Sequence, residues 1–555
     1  MRNIITPFFA LVFLFHSSSA QKTFTHFQES YPIVKGKLLG YDSSKDTTLT
    51  LKFVTVIPTP ERQKEHLIEP QEDGSFEFQM EYPLHYQQIW FSIGNYYYGQ
   101  LIVDQGLFIE ADLEKLKKGK RAIFDNAYVK FKGLDGDLNH YINKYTIYEI
   151  PRRGDRTTWM DIMRDRKATP AEKTQKIRTI QKEKAEIEAD FIAENPSPHA
   201  WILTNERLSD DYGRLMVIYW GHELPASLEK EILAHQPKVI SNSGTSSYYG
   251  YSNVYYNKLN EKERLTYLKG LQSEISITSE KDRLASYISL LDQKIKGDTI
   301  DTKLFGKESR YFHKQYKSYY NQAVLNRFIT VTADMPSEKS DMLKLLGGGR
   351  DIWERQNYVE TIMPSLQSDW AKKIMQQEWD SVKDELAAAE ARLNAITVGT
   401  VDVPIGESIG KLEGGADLFL ANQASVDSLL ASIRAVYPNK SILLDVWATW
   451  CGPCIHDMKN SAENIAQLRA MDVEVVYLCT TSGTEEEKWQ QKVAELNLDA
   501  TQIYLNDQLS KAIMKKFDLK GYPSHLLFDT KGKYIRDFHQ NIMGVNFDEL
   551  KELLD

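Results

Sequence analysis

Hydrophobic and polar positions change their period along the chain. Between residues 21 and 135, short apolar runs alternate with polar ones: YPIVKGKLLG, TTLTLKFVTV, GSFEFQM, QQIWFSI, YYGQLIV and LFIEADL. The turn formers of EDGS and IGN punctuate them. Alternation with β-branched and aromatic content predicts strands. Their spacing of roughly ten to fifteen residues predicts an antiparallel all-β sandwich. The cluster Tyr96, Tyr97, Tyr98 is read as strand rather than as a binding surface, since tyrosine fits a half-buried pleat.

From 136 to 395 the pattern becomes helical, predicting an all-α middle region. Thr169-Pro170-Ala171-Glu172 is a capping box with proline in the first turn, opening a helix expected to stop at Asn195-Pro196. SEKDRLASYISLLDQKIK and the long LQSDWAKKIMQQEWDSVKDELAAAEARLNA are amphipathic helices, the latter ending near Ile396. SNSGTSSYYGYSNVYY (241–256) reads as a polar, tyrosine-rich surface loop, and LLGGGR (345–350) lacks the Lys-Ser/Thr of a phosphate loop. Residues 396–417, rich in glycine and without period, read as a linker. In 418–555, strands (SILLDVWAT, VEVVYLCTT, TQIYL) alternate with helices (CGPCIHDMKNSAENIAQLRAM, TEEEKWQQKVAELNL, LSKAIMKKF). YPSHLLFDTKGKYIRDF follows as a hairpin and FDELKELLD as a closing helix. This order predicts an α/β domain whose parallel-containing sheet is covered on both faces.

Length and composition agree with a multidomain globular chain: 555 residues, 42% hydrophobic, 26% charged. A net charge of -9 argues against a nucleic-acid partner. The first residues change the picture more. Arg2, the apolar run IITPFFALVFLF and HSSSA have the form of a secretory signal peptide over 1–20, with cleavage expected after Ala20. Export then changes how cysteine is read, because only three are present and a disulfide scaffold is ruled out.

Two of the three, Cys451 and Cys454, stand in LLDVWATWCGPCIHDM. A redox dithiol, half of a metal site and a structural staple all merit weighing. Structural zinc needs four ligands, and Cys479 with His456 would make only an odd set, so no metal is expected. A c-type haem needs histidine directly after Cys454, where Ile455 stands. A staple across so small a loop gains only roughly 2 kcal/mol. Redox chemistry is favoured, with no cofactor. Cys451 falls where strand becomes helix, so unpaired amides and the helix dipole should lower its pKa below about 8.5. Cys454, one turn further in, is expected to be shielded and to resolve a mixed disulfide. Gly452 is expected to let the chain turn tightly beside a docking substrate, and Pro453 to pre-set helical φ. Asp445 lies alone in an apolar strand. It is either a satisfied structural aspartate or an acid of raised pKa that exchanges a proton with Cys454. Pro523, in KGYPSHLLFD, cannot join a central ladder and suggests a turn.

WCGPC with an acid six residues upstream and a Gly-x-Pro-Ser segment further on resembles thioredoxin. The resemblance is closer to the exported TlpA/ResA-like branch, for WATWCGPC, the inserted TEEEKWQQKVAELNLDATQIYL and Asp457 are similar to that group. It covers about 400 to 555. It implies a C-terminal thioredoxin fold, Cys451 as nucleophile, Cys454 as resolving thiol, Asp445 as buried acid, Asp457 as an acid tuning the thiols, and Pro523 as a cis-proline beside the site. Trp450, Gly452, Pro453, Tyr522 and Pro523 would contact substrate. Disulfide-bearing envelope proteins are the implied partners, cytochrome c precursors among them, with a membrane-embedded electron donor. Departures are Lys459 where the family usually has proline, Ile455 where it often has a basic residue, and Tyr477 where cytosolic thioredoxins place the lysine that pairs with the buried acid. Cys479 reads as an inert buried thiol. The implied function is a periplasmic protein-disulfide reductase. The alternative is an envelope ligand- or protein-binding module with an accessory redox domain.

Overall fold

The computed structural model describes residues 24–124, 127–153, 157–165, 167–220, 222, 224–252, 259–348, 351–396 and 404–554. The signal-peptide expectation over 1–20 lies outside them. Two compact units divide the described chain: residues up to 348 with 357–377, and 351–356 with those from 378 onward.

The first unit begins with β1 (Ile33–Leu39), β2 (Leu51–Val56), β3 (Gln63–Ile68), β4 (Ser75–Gln79), β5 (Gln87–Ile93), β6 (Tyr97–Val103), β7 (Leu107–Asp112), β8 (Ala122–Ile123) and β9 (Val129–Lys132). They form two sheets, β4-β1-β7-β9 and β3-β2-β5-β6-β8. Alternate residues of both, such as Val34, Phe76 and Ile109 from one and Phe53, Phe91 and Tyr97 from the other, meet in one buried cluster. The sandwich is not purely antiparallel, because β1 pairs β7 and β6 pairs β8 in parallel.

Helices follow. Pro170–Glu194 opens on the Thr169/Glu172 capping box and ends at Asn195. Asn242–Tyr251 is also a helix, where the sequence reads as a loop; residues 253–256 of that stretch lie outside the described residues. Its small residues explain the difference. A Cβ on Gly250 would come 3.3 Å from Met216, and one on Gly213 3.6 Å from Ser247. Close packing against the Ala200–Ile218 helix overrides poor intrinsic propensity.

The second unit is built on a seven-stranded sheet ordered β10-β11-β14-β13-β12-β15-β16. Its strands are β10 (Glu407–Lys411), β11 (Asp417–Leu420), β12 (Ser441–Trp447), β13 (Val473–Cys479), β14 (Thr501–Tyr504), β15 (Ser524–Phe528) and β16 (Tyr534–Ile535). Residues 407–411, expected to be linker, are therefore an edge strand paired with β11. β11, β14, β13 and β12 run parallel, and β15 joins β12 antiparallel. The β12 residues are buried throughout because helices cover both faces. One face packs Met458, Ile465, Leu468, Trp489, Val493 and Leu550 from four helices. The other packs Leu429 and Ile433 with Leu509 and Ile513.

The single helix expected after Cys451 is two, Gly452–Lys459 and Ala462–Ala470. No proline is needed for the break. Asn460 donates its side-chain amide to the His456 carbonyl at 2.7 Å, and Ser461 its hydroxyl to the Met458 carbonyl at 3.1 Å. These side chains satisfy carbonyls that a helix end leaves open. Lys459, in the expected proline position, instead reaches Glu495 at 3.4 Å.

Candidate active site

The dithiol sits at the junction of β12 and the following helix. Cys451 is the N-cap residue, and its N–H donates to the Ala448 carbonyl at 3.0 Å. Its sulfur is bonded to that of Cys454, with the two Cα atoms 5.3 Å apart. The Cys454 amide donates to Cys451 Sγ at 3.2 Å. After reduction the same amide, with the positive helix end, faces whatever charge develops on sulfur 451. Cys451 keeps 3% of its surface exposed and Cys454 none.

Aromatic and small residues form the rim. Trp450 is 58% exposed and donates its indole N–H to the Ser482 carbonyl. Its ring meets Tyr522 edge-on with centroids 5.6 Å apart. Tyr522 shares a hydrogen bond with Thr480 through the two hydroxyls, at 2.8 Å. The Tyr522–Pro523 peptide is cis. Pro453 is exposed in the first helical turn. Gly452 is exposed there too, but it makes no tight turn. It lies outside the positive-φ glycines, and a Cβ on it would meet nothing within 4 Å. No tight turn requires glycine at 452; its effect is to leave the surface beside the disulfide open.

Beneath the rim lies a charged cluster. Asp445 shares its face of β12 with Leu443 and Trp447, so it faces the side of the sheet on which Cys454 and Met458 pack. It is fully buried, and neither carboxylate oxygen has a hydrogen-bond partner. In register with it stand Tyr477 on β13 and His525 on β15. His525 Nε2 lies 3.6 Å from Asp445 Oδ2 and 3.4 Å from Asp457 Oδ2. Its side chain is 8% exposed. Asp457, in the Gly452–Lys459 helix, accepts the N–H of Met543 at 2.7 Å and of Ile542 at 3.1 Å.

Burial pushes the Asp445 carboxyl above the ordinary value, an effect His525 only partly offsets. Burial acts on Asp457 likewise, but His525 and the two amides outweigh it and hold this carboxyl low. Burial disfavours charge on His525, yet its two carboxylate neighbours prevail and raise it to about 9. Tyr477 is pushed up by burial, with Asp445 adding to the shift. Cys479, at the end of β13, is buried and raised well above a free thiol.

His525 is the residue that sequence reasoning missed. The residue types were visible in the sequence, a histidine and an acid each in an apolar strand, but their pairing was not. A donor atom from each of Asp445, Asp457 and His525 falls within 4.8 Å of the others, a spacing a cation could span. Both Asp457 oxygens also accept backbone amides, and His525 Nε2 stands within ion-pair distance of both carboxylates.

Residues 419–554 match the Redoxin family model. The thioredoxin-like protein YneN of Bacillus subtilis is 33% identical over 116 residues, 21% of this chain. The match spans 64% of that relative's length. Among solved structures, the thioredoxin domain of a thiol-disulfide oxidoreductase from Bacteroides vulgatus is similar at 16% identity, covering 22% of this chain and 84% of that one, with a TM-score of 0.19. A thiol:disulfide interchange protein from Bacteroides sp. is similar at 17% identity, covering 21% and 76%, with a TM-score of 0.19.

Proposed function

From the match of residues 419–554 to the Redoxin family model, we propose that this protein is an exported thiol–disulfide oxidoreductase acting as a protein-disulfide reductase in the cell envelope. The observation that carries the reading is the bonded pair Cys451–Cys454 at a helix N-terminus, beside an exposed tryptophan and a cis-proline. In the reduced protein, the Cys451 thiolate attacks a partner disulfide and releases one partner thiol. Cys454 then attacks Cys451, the intramolecular disulfide forms, and the second partner thiol leaves. Two electrons pass from the dithiol to the partner.

The Gly-Pro spacer resembles that of reducing thioredoxins, whose potential is about -270 mV. In an oxidising compartment, electrons must come from a separate, membrane-embedded donor. No helix among the described residues is long and apolar enough to cross a membrane. Envelope proteins bearing disulfides, including cytochrome c precursors, are the proposed partners.

A second reading has its own observation. The first unit holds a cavity of about 450 Å³ lined by Arg62, Trp159, Asp210, Arg214, Met216 and Trp220. This supports an envelope ligand-binding role in which the redox domain is accessory. Dithiothreitol-driven insulin reduction separates the two. The reductase reading requires activity in the parent and its loss in Cys451→Ser; equal activity in both overturns it in favour of binding. A redox titration then sets direction, a potential of about -120 mV pointing to oxidation instead.

A further inference from the structure

Asp445 presents an unusual combination. It is fully buried, its oxygens lack hydrogen-bond partners, and it faces the side of the sheet that holds Cys454. A carboxylate left in that state is costly unless a nearby cation compensates it. From β13 no cation is supplied, because Tyr477 occupies the matching position. The compensating group comes from the opposite neighbour, β15, where His525 is in register with Asp445. His525 is itself paired from the helix by Asp457, whose carboxyl is held low by His525 and by two backbone amides.

We infer that His525 is a positioning residue of the dithiol chemistry, clamped between Asp457 and Asp445 so that the Asp445 carboxyl remains able to take the proton of Cys454. This rests on the oxidoreductase reading above. The three groups divide the work. Asp457 is the fixed anion, His525 the cation it orients, and Asp445 the member that changes charge. When a partner is held on Cys451 as a mixed disulfide, the Cys454 thiol gives its proton toward the Asp445 carboxylate. Its sulfur bonds to sulfur 451, and the bond from 451 to the partner breaks. The departing partner thiolate takes up a proton, and Asp445 returns its own to solvent, so the partner is reduced and the dithiol oxidised. Without a cation beside it, burial would act on Asp445 unopposed and favour the protonated form, which cannot accept a further proton. The other titratable groups near the cluster do not replace His525. Tyr477 and Cys479 on β13 are buried and pushed up, so both are uncharged at neutral pH, and Arg469 acts on Tyr477 from the neighbouring helix.

The test uses the full chain with His525→Gln and His525→Lys beside the parent. Insulin reduction is followed across pH, with melting temperatures as a check on folding. The Gln variant should move the acidic limb of the profile to higher pH by about one unit, an approximately tenfold loss at neutral pH recovered on raising the pH. The Lys variant, which restores a cation, should return most of that loss. A purely structural histidine would lower the melting temperature without moving the limb. An active parent with an unmoved limb in the Gln variant overturns this inference and leaves the proposed function standing. A parent that does not reduce insulin overturns the proposed function, and this inference with it. If the Gln variant does not fold, NMR titration of the His525 ring in the parent decides: a charged ring at neutral pH supports the inference, and a neutral ring overturns it.

Discussion

Tyr522 meets Trp450 edge-on, with ring planes at 81° and centroids 5.6 Å apart. One ring precedes the cis-proline, and the other precedes the first cysteine. The contact ties together two segments that lie far apart in sequence, and Thr480 holds the tyrosine from beneath. Trp450 nevertheless keeps 58% of its surface exposed. A large apolar ring that is fixed in place and uncovered costs little conformational entropy when a partner chain covers it.

Trp450→Ala should therefore weaken substrate engagement more than the chemical step. The expected result is a KM for insulin raised about tenfold, matching a loss of about 1.4 kcal/mol in binding, with kcat changed much less. Steady-state kinetics at several insulin concentrations would show it. A fall in kcat at unchanged KM would assign the ring to the chemistry instead.

Asp445→Asn should separate stability from turnover. The carboxylate is buried without a hydrogen-bond partner, and its raised pKa means that ionising it costs stability as pH rises. An amide carries no such cost, so the melting temperature at neutral pH should stay level or rise. Turnover should fall by about 10²-fold, the low end of what a positioned acid or base contributes. A variant that is less stable and equally active would make Asp445 a structural residue.

The dependence of stability on pH follows from His525 and Asp457. His525 binds its proton more tightly when folded, about 9 against an unfolded value of about 6.5. Its contribution is complete below the unfolded value and is lost as pH rises through about 9. Asp457 is held low, so its contribution is present above an unfolded value of about 3.8 and is lost as pH falls through the folded one. Urea melts of the oxidised protein should accordingly show the second unit weakening on both sides of neutrality. In His525→Gln the alkaline weakening should be reduced.

Much of this was legible in the pattern of residues, and each miss has its own physical cause. Alternation marks β1, β2, β4, β5, β6 and β7, because one face of each is covered by the sandwich core. It misses β3, QKEHLI, an edge strand whose residues are largely exposed and so carry no apolar signal. The Asn242–Tyr251 helix is illegible because its glycines and serines favour packing over helix formation. At the site, the position of Cys451 as helix N-cap follows from an apolar strand running into Gly-Pro. The partnership of Asp445 with His525 does not, because it depends on β15 returning beside β12, a tertiary choice that local sequence leaves open.

Two glycines, one in the helix after Cys451 and one packed on Trp450, give opposite expectations for the same substitution. Gly452 lies at the start of the helix with open space where a Cβ would go, so Gly452→Ala should leave the melting temperature level or raise it. A gain of about 0.4–1 kcal/mol is expected from a less flexible unfolded chain. Gly483 has φ +64, and a Cβ there would come 3.0 Å from Trp450 Nε1. Gly483→Ala should cost about 1–2 kcal/mol in the left-handed conformation alone and push the indole from its bond to Ser482. Chemical denaturation of both variants, with tryptophan emission followed, checks the pair. The 452 variant should keep the parent spectrum with a midpoint level with the parent's or above it, and the 483 variant should lose both the spectrum and the midpoint. Equal destabilisation by the two would mean that the helix start at Gly452 is as constrained as the turn at Gly483, contrary to the space the structure leaves around it.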